Sequence, residues 1–262
     1  MVSMISNPAL EQFAALIAPE LLVAQVLIRR TAEGFALCHI ADRDGSALRT
    51  LSVEQLRALA DFTEQKQYRP LKSAPTLARS WSCVVRDLAE LDDALRHLYP
   101  GAVADWFAAQ QPVPPVTHYR EFTARQTGMY RTTTMLTDAQ VAQVARAGCH
   151  ARFCLKRRLW TVEGLPVDAA RGKSLIPCLE PCAVLLEFAR ASARLEQREK
   201  QSVPLAEGEI AALTAALQTA LESSAALSRE GDFSAPDNAR RWQWLLEKLK
   251  LVSETKGKNE HD

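Results

Sequence analysis

Four of the six cysteines in this chain fall within 34 residues, in two close pairs: Cys149-x4-Cys154, then 23 residues, then Cys178-x3-Cys182. Thiols paired this way restrict the fold, because each pair has to sit on a turn. Both pairs do read as turns. Gly148 stops a helix just before Cys149. Pro177 and Pro181 each precede a cysteine of the second pair. A proline biases its predecessor away from helix, so residues 176–180 are expected to be extended or turned. Cys182 then opens the next helix, whose positive end favours a thiolate or an anionic cluster. Two pairs on two turns can converge on one centre.

The compartment bears on what the thiols do. The first 24 residues have no basic n-region, and Pro19 and Glu20 interrupt their apolar run. Neither a signal peptide nor a membrane anchor is expected, and the protein is expected to be cytoplasmic. In a reducing compartment clustered cysteines bind metal more often than they form disulfides. Spacing alone leaves the metal open. Structural zinc sites usually space paired ligands by about two to four residues. Four thiolates also hold iron–sulfur clusters, often with a proline beside a ligand. Clustering argues against four buried thiols acting as small apolar side chains. Cys38 and Cys83 do suit that description, since both sit in strand-like apolar runs. His150 adjoins Cys149, and an adjacent residue usually points elsewhere than at a shared ligand site.

Charge excludes some partners. Lys+Arg number 32 against 31 Asp+Glu, a formal net charge of +1, so nothing global points to nucleic acid or to an anionic membrane. Hydrophobic residues are 47% and charged residues 24%, the balance of a folded globular chain.

Periodicity places the pairs in an α+β chain. Asn7-Pro8 opens a helix with Leu10, Phe13 and Ile17 on one face. Residues 22–30 and 35–40 read as two strands of a hairpin about Glu33-Gly34. Ser52 to Gln55 form a capping box, 81–85 a short strand, and 87–98 a helix that resumes at 103 after Pro100-Gly101. Residues 110–116 (QQPVPPV) carry three prolines in seven positions and read as a stiff linker. Beyond it, 119–135 is polar and leans to strand. Thr137 to Gln140 form a second capping box, on a helix that ends at Gly148. Helices follow over 183–198, around Ile210 to Leu221, and over 236–251. The expected domains are a small antiparallel-sheet N-terminal domain at 1–110 and a cysteine-rich domain at 117–200. C-terminal helices at 204–252 and a disordered tail at 253–262 complete the chain.

Residues 147–160 (AGCHARFCLKRRLW) and 176–187 (IPCLEPCAVLLE) resemble the [4Fe–4S] cluster-binding domain attached to CbiX-type sirohydrochlorin or cobalt chelatases. Residues 68–75 (YRPLKSAP) and 98–106 (LYPGAVADW) resemble the companion stabilising domain of that family. The resemblance runs in order over about residues 20 to 190. It implies that Cys149, Cys154, Cys178 and Cys182 ligate one [4Fe–4S] cluster. It also implies an electron-transfer or redox role in tetrapyrrole biosynthesis, beside sirohydrochlorin, cobalamin or sirohaem, with a chelatase or a redox protein as partner. It does not carry over chelatase activity. That fold uses a parallel βαβ series with histidines on its strand ends, whereas His39, His97, His118, His150 and His261 are scattered over unlike segments. The competing expectation is a zinc-stabilised protein-interaction module without redox activity.

Lys156, Arg157 and Arg158 follow Cys154 directly, and Arg171 and Lys173 lie between the pairs. Cations near a negatively charged cluster favour its reduced form, or dock an acidic partner. A solvated basic turn is the plainer reading. Trp160 reads as a core residue or as a shield over the cluster. No Walker, G-x-S-x-G or G-x-G-x-x-G pattern occurs.

Overall fold

The computed structural model describes residues 7–62, 74–75, 77–167, 175–197, 203–223 and 238–259. The chain divides into two compact units. The first takes Met1–Val116, Leu155–Leu159 and Asp168–Leu179, and the second Thr117–Cys154, Trp160–Val167 and Glu180–Asp262.

The first unit begins with helix α1 (Pro8–Ala15). The Asn7 side chain accepts the Leu10 N–H at 3.3 Å, and Pro8 fills a first-turn position that needs no donor. Strands β1 (Glu20–Val23), β2 (Val26–Thr31) and β3 (Gly34–His39) form an antiparallel meander. Strand β4 is Arg49–Thr50 and β5 is Trp81–Val85; β5 pairs antiparallel with β3 and parallel with β4. The sheet order is β1-β2-β3-β5-β4. Side chains alternate along each strand, so Ile28, Phe35, Leu37, Trp81, Cys83 and Val85 reach one core. Helices α2 (Val53–Asp61) and α3 (Leu88–Leu98) supply Leu56, Leu59, Leu91, Leu95 and Leu98 to it. Both are capped as their sequences ask: Ser52 and Gln55 form the capping box, and Asp87 accepts the Glu90 N–H at 2.9 Å. Helix α4 (Ala102–Ala109) follows, with Trp106 edge-on to Phe13 at 5.3 Å. Gly34 sits at φ 135, where a Cβ would lie 2.2 Å from the Val85 carbonyl oxygen; only glycine fits.

The expected hairpin is a three-stranded meander instead. An extra turn at Ala24-Gln25 divides the first expected strand, with Ala24 at φ 53. Neither residue is a turn former. Tertiary contacts hold the turn. The Gln25 N–H donates to the Tyr99 hydroxyl at 3.2 Å, and its side-chain oxygen accepts the Leu77 N–H at 3.1 Å.

The second unit is helical: α5 (Tyr119–Ala124), a 3₁₀ helix (Gly128–Met135), α6 (Asp138–Gly148), α7 (Ala183–Glu196), α8 (Glu207–Ser223) and α9 (Ala239–Asn259). The leaning to strand over 119–135 is thus overturned. The hydroxyls of Thr132, Thr133 and Thr134 each donate to the carbonyl three residues back, at 3.1, 2.7 and 2.8 Å. Such local bonds offset the β-preference of a threonine run. Helix α6 keeps its capping box. The α9 backbone is helical to Asn259, through most of the 253–262 stretch expected to be disordered. The molecule is α+β, with its sheet toward the N-terminus and helices toward the C-terminus. Among the described residues no helix is long and apolar enough to cross a membrane.

Candidate metal centre

The four clustered cysteines stand where regular structure stops. In the second unit Cys149 is the C-cap of α6, and its N–H donates to the Ala145 carbonyl at 2.9 Å. A tight turn follows, in which the His150 carbonyl accepts the N–H groups of Phe153 at 2.8 Å and Cys154 at 3.0 Å. Cys182 is the N-cap of α7; its carbonyl accepts the Leu186 N–H at 3.0 Å. Its side chain makes no cap bond, and the first turn of α7 carries no acidic residue. The positive end of that helix therefore has a cysteine at its N-cap and no carboxylate in its first turn. Gly148 sets the spacing here. A Cβ on it would lie 2.9 Å from Cδ1 of Phe188 and 3.2 Å from Cδ1 of Leu185, so the last turn of α6 rests directly on the first turns of α7.

In the first unit Cys178 ends a two-residue strand, β7 (Pro177–Cys178), parallel to β6 (Arg157–Arg158). The Arg157 N–H donates to the Ile176 carbonyl at 2.8 Å, and the Leu159 N–H to the Cys178 carbonyl at 3.0 Å. Residues 176–178 are thus extended, as the prolines require. Ile176 is buried in the core of the first unit, with Leu155 and Leu175 packed against it.

All six cysteines are thiols rather than disulfides. The four clustered ones are half-buried, while Cys38 and Cys83 are buried. Burial raises the pKa of both, that of Cys83 to about 11, so neither ionises readily. Among the described residues no three His, Cys, Asp or Glu side chains gather closely enough to hold a metal ion. The donors themselves fit an iron–sulfur or zinc centre: four half-buried thiols, with Cys149, Cys178 and Cys182 at element edges and Cys154 after a tight turn.

The remaining candidates separate clearly. Lys156 pairs with Asp105 at 3.7 Å. Burial lifts the Asp105 pKa above the usual carboxylate value, and Lys156 opposes that shift. Arg157 is half-buried and Arg158 is buried at 6% exposure, so a fully solvated basic turn is overturned. Lys173 and Arg171 lie outside the described residues. The Nδ1 of His150 accepts the Arg152 N–H at 3.2 Å, which ties the ring into its own turn. Trp160 is wholly buried, 6.3 Å from the Tyr119 ring, and serves the core.

Sequence reasoning passed over Arg152 and Phe153, the last two residues between the cysteines of the first pair. Phe153 is wholly buried with Leu221, Ala239 and Leu246, under the Arg240 guanidinium at 5.5 Å. The Arg152 guanidinium donates to the Leu221 carbonyl. One signal was available: a phenylalanine alone among polar and small residues between two cysteines.

Two family models match the chain in succession. Residues 8–110 match the DR2241 stabilising domain. Residues 112–191 match a 4Fe-4S iron-sulfur cluster binding domain, and all four cysteines lie inside that match. A solved structure is also similar: DR2241 from Deinococcus radiodurans, described as a multi-domain protein with structural similarity to chelatases and two additional novel domains. The identity is 28% and the TM-score 0.62, over 71% of this chain and 41% of that one. This chain thus spans about two fifths of the length of that protein. No curated protein matches.

Proposed function

From a chain that matches a stabilising domain followed by a 4Fe-4S iron-sulfur cluster binding domain, we propose a protein that binds one [4Fe–4S] cluster for electron transfer or another redox role in tetrapyrrole metabolism. The observation that carries the reading is that all four clustered cysteines lie within the cluster-domain match as half-buried thiols, three at element ends and Cys154 just after a turn. Cys149, Cys154, Cys178 and Cys182 are the proposed ligands. Such a cluster supplies one-electron transfer when bound. With four thiolates the coordination of iron is complete, which suits an electron carrier better than a Lewis acid.

The residues of the chain have roles around that group. Cys182 is the N-cap of α7, which puts the positive end of that helix beside a proposed ligand of an anionic cluster. Lys156, Arg157 and Arg158 begin two residues after Cys154 and add positive charge there, the two arginines on β6. Asp105 offsets part of the Lys156 charge. Arg158 is buried, so any docking of an acidic partner falls to Lys156, Arg157 and Lys173. The proposed partner is a chelatase or a redox protein, and the proposed location is the cytoplasm. Chelation itself is not proposed for this chain alone.

Protein purified without oxygen tests the reading. It is expected to be brown, with iron and acid-labile sulfide in equal amounts and about four of each per chain. A colourless protein with one tightly held zinc and no sulfide overturns it, in favour of a zinc-stabilised interaction module.

A further inference from the structure

The loop between Cys149 and Cys154 has its own anchor. Its last two side chains, Arg152 and Phe153, engage the C-terminal helices of the second unit, α8 and α9, which lie beyond residue 191 where the cluster-domain match ends. Phe153 is wholly buried against Leu221 of α8 and Ala239 and Leu246 of α9. The Arg240 guanidinium of α9 lies over the ring. The carbonyl of Leu221 belongs to the last turn of α8, where carbonyls have no partner within the helix, and Arg152 supplies the donor and the favourable charge. Helix α9 packs against both α6, whose C-cap is Cys149, and α8. A four-residue loop that leaves the end of α6 at Cys149 and is held by a guanidinium and a buried ring just before Cys154 leaves both cysteines little freedom.

We propose that Arg152 and Phe153 are positioning residues through which α8 and α9 clasp the Cys149–Cys154 loop, so that the helix pair sets how firmly the cluster is retained. The proposal rests on the iron–sulfur reading above. It makes the C-terminal helices part of the cofactor apparatus rather than an appendage. By linkage the coupling runs both ways: what the clasp contributes to retention, the bound cluster contributes to the docking of α8 and α9.

The full-length protein, loaded with its cluster, tests this by two measurements. The first is the rate of bleaching of the visible iron–sulfur absorbance under an excess of iron chelator. Phe153→Ala is expected to bleach about tenfold faster or more, and Phe153→Leu, which keeps an apolar side chain, close to the wild-type rate. The second is hydrogen–deuterium exchange on the wild type with and without its cluster. Removing the cluster is expected to speed exchange over 210–221 and 239–252. Where Phe153→Ala does not fold, Leu246→Ala removes the other side of the same contact and is expected to bleach faster in the same way. Unchanged bleaching in the Ala variants, or exchange indifferent to the cluster, overturns the clasp alone. A wild type that holds no iron and sulfide overturns the cluster reading and the clasp with it.

Discussion

Cys83 shows how far a single residue was legible. Its place in a run of alternating apolar residues marked it as a core thiol, unlike the four cysteines on turns, and it is wholly buried on β5. Burial, and after it the charges of Glu90 and Glu54, pushes its pKa from 9.0 to about 11. The consequence for stability has a definite sign. Below pH 9 the thiol is protonated both folded and unfolded. Above it the unfolded chain ionises first, so stability falls as pH rises from about 9 to 11, by roughly 1–3 kcal/mol for this group. Cys83→Ala is expected to be less stable at neutral pH because it leaves a small cavity. Its urea-unfolding free energy is nevertheless expected to fall less steeply than that of the wild type between pH 9 and 11. Parallel curves for the two proteins in that window would mean that the thiol does not titrate with unfolding. Phe153 was not legible in the same way. A lone aromatic residue carries no period, and its partners Leu221 and Leu246 stand more than sixty positions further on.

Elements were legible where local rules governed them. The capping boxes at Ser52 and Thr137 both form, and α6 stops at Gly148. They were illegible where distant residues decided. The turn at Ala24-Gln25 has no turn-forming residue and is held by Tyr99 and Leu77. The threonine run at 132–134 turns into a 3₁₀ helix through its own hydroxyls. Gly148 joins the two cases. The sequence marks it as a helix stop, but its larger role is the contact that α6 makes with α7. Gly148→Ala would place a methyl group 2.9 Å from Phe188 and 3.2 Å from Leu185, both buried. The helices have to separate or the ring has to turn. Overpacking of this kind costs about 1–3 kcal/mol, more than the better helix propensity of alanine returns. The variant is expected to unfold at lower urea, and to retain less iron because Cys149 and Cys182 flank the contact. Wild-type stability in Gly148→Ala would show that glycine serves there only to end the helix.

For the whole molecule, the proline run at 110–116 suggested a clean division of the chain, and the two family matches meet there, at 110 and 112. The course of the chain is less simple. After Val116 it returns to the first unit twice, for Leu155–Leu159 and for Asp168–Leu179. No local pattern announces such a return, because a two-residue strand pair such as β6 and β7 has too few positions to show a period. Its physical content is Ile176, 1% exposed in the core of the first unit, with Leu155 and Leu175 beside it. A fragment ending at Val116 lacks all three. It is therefore expected to melt well below the same unit in the full chain, despite holding the whole five-stranded sheet. Ile176→Ala in the full chain separates this cause from truncation itself. Deleting a side chain so deeply buried typically costs about 2–5 kcal/mol. Faster hydrogen exchange is then expected at the amides of β5, over 81–85, which report the first unit alone. A fragment as stable as the intact unit, with Ile176→Ala silent at β5, would mean that the sheet and its helices close their core without the returning segments.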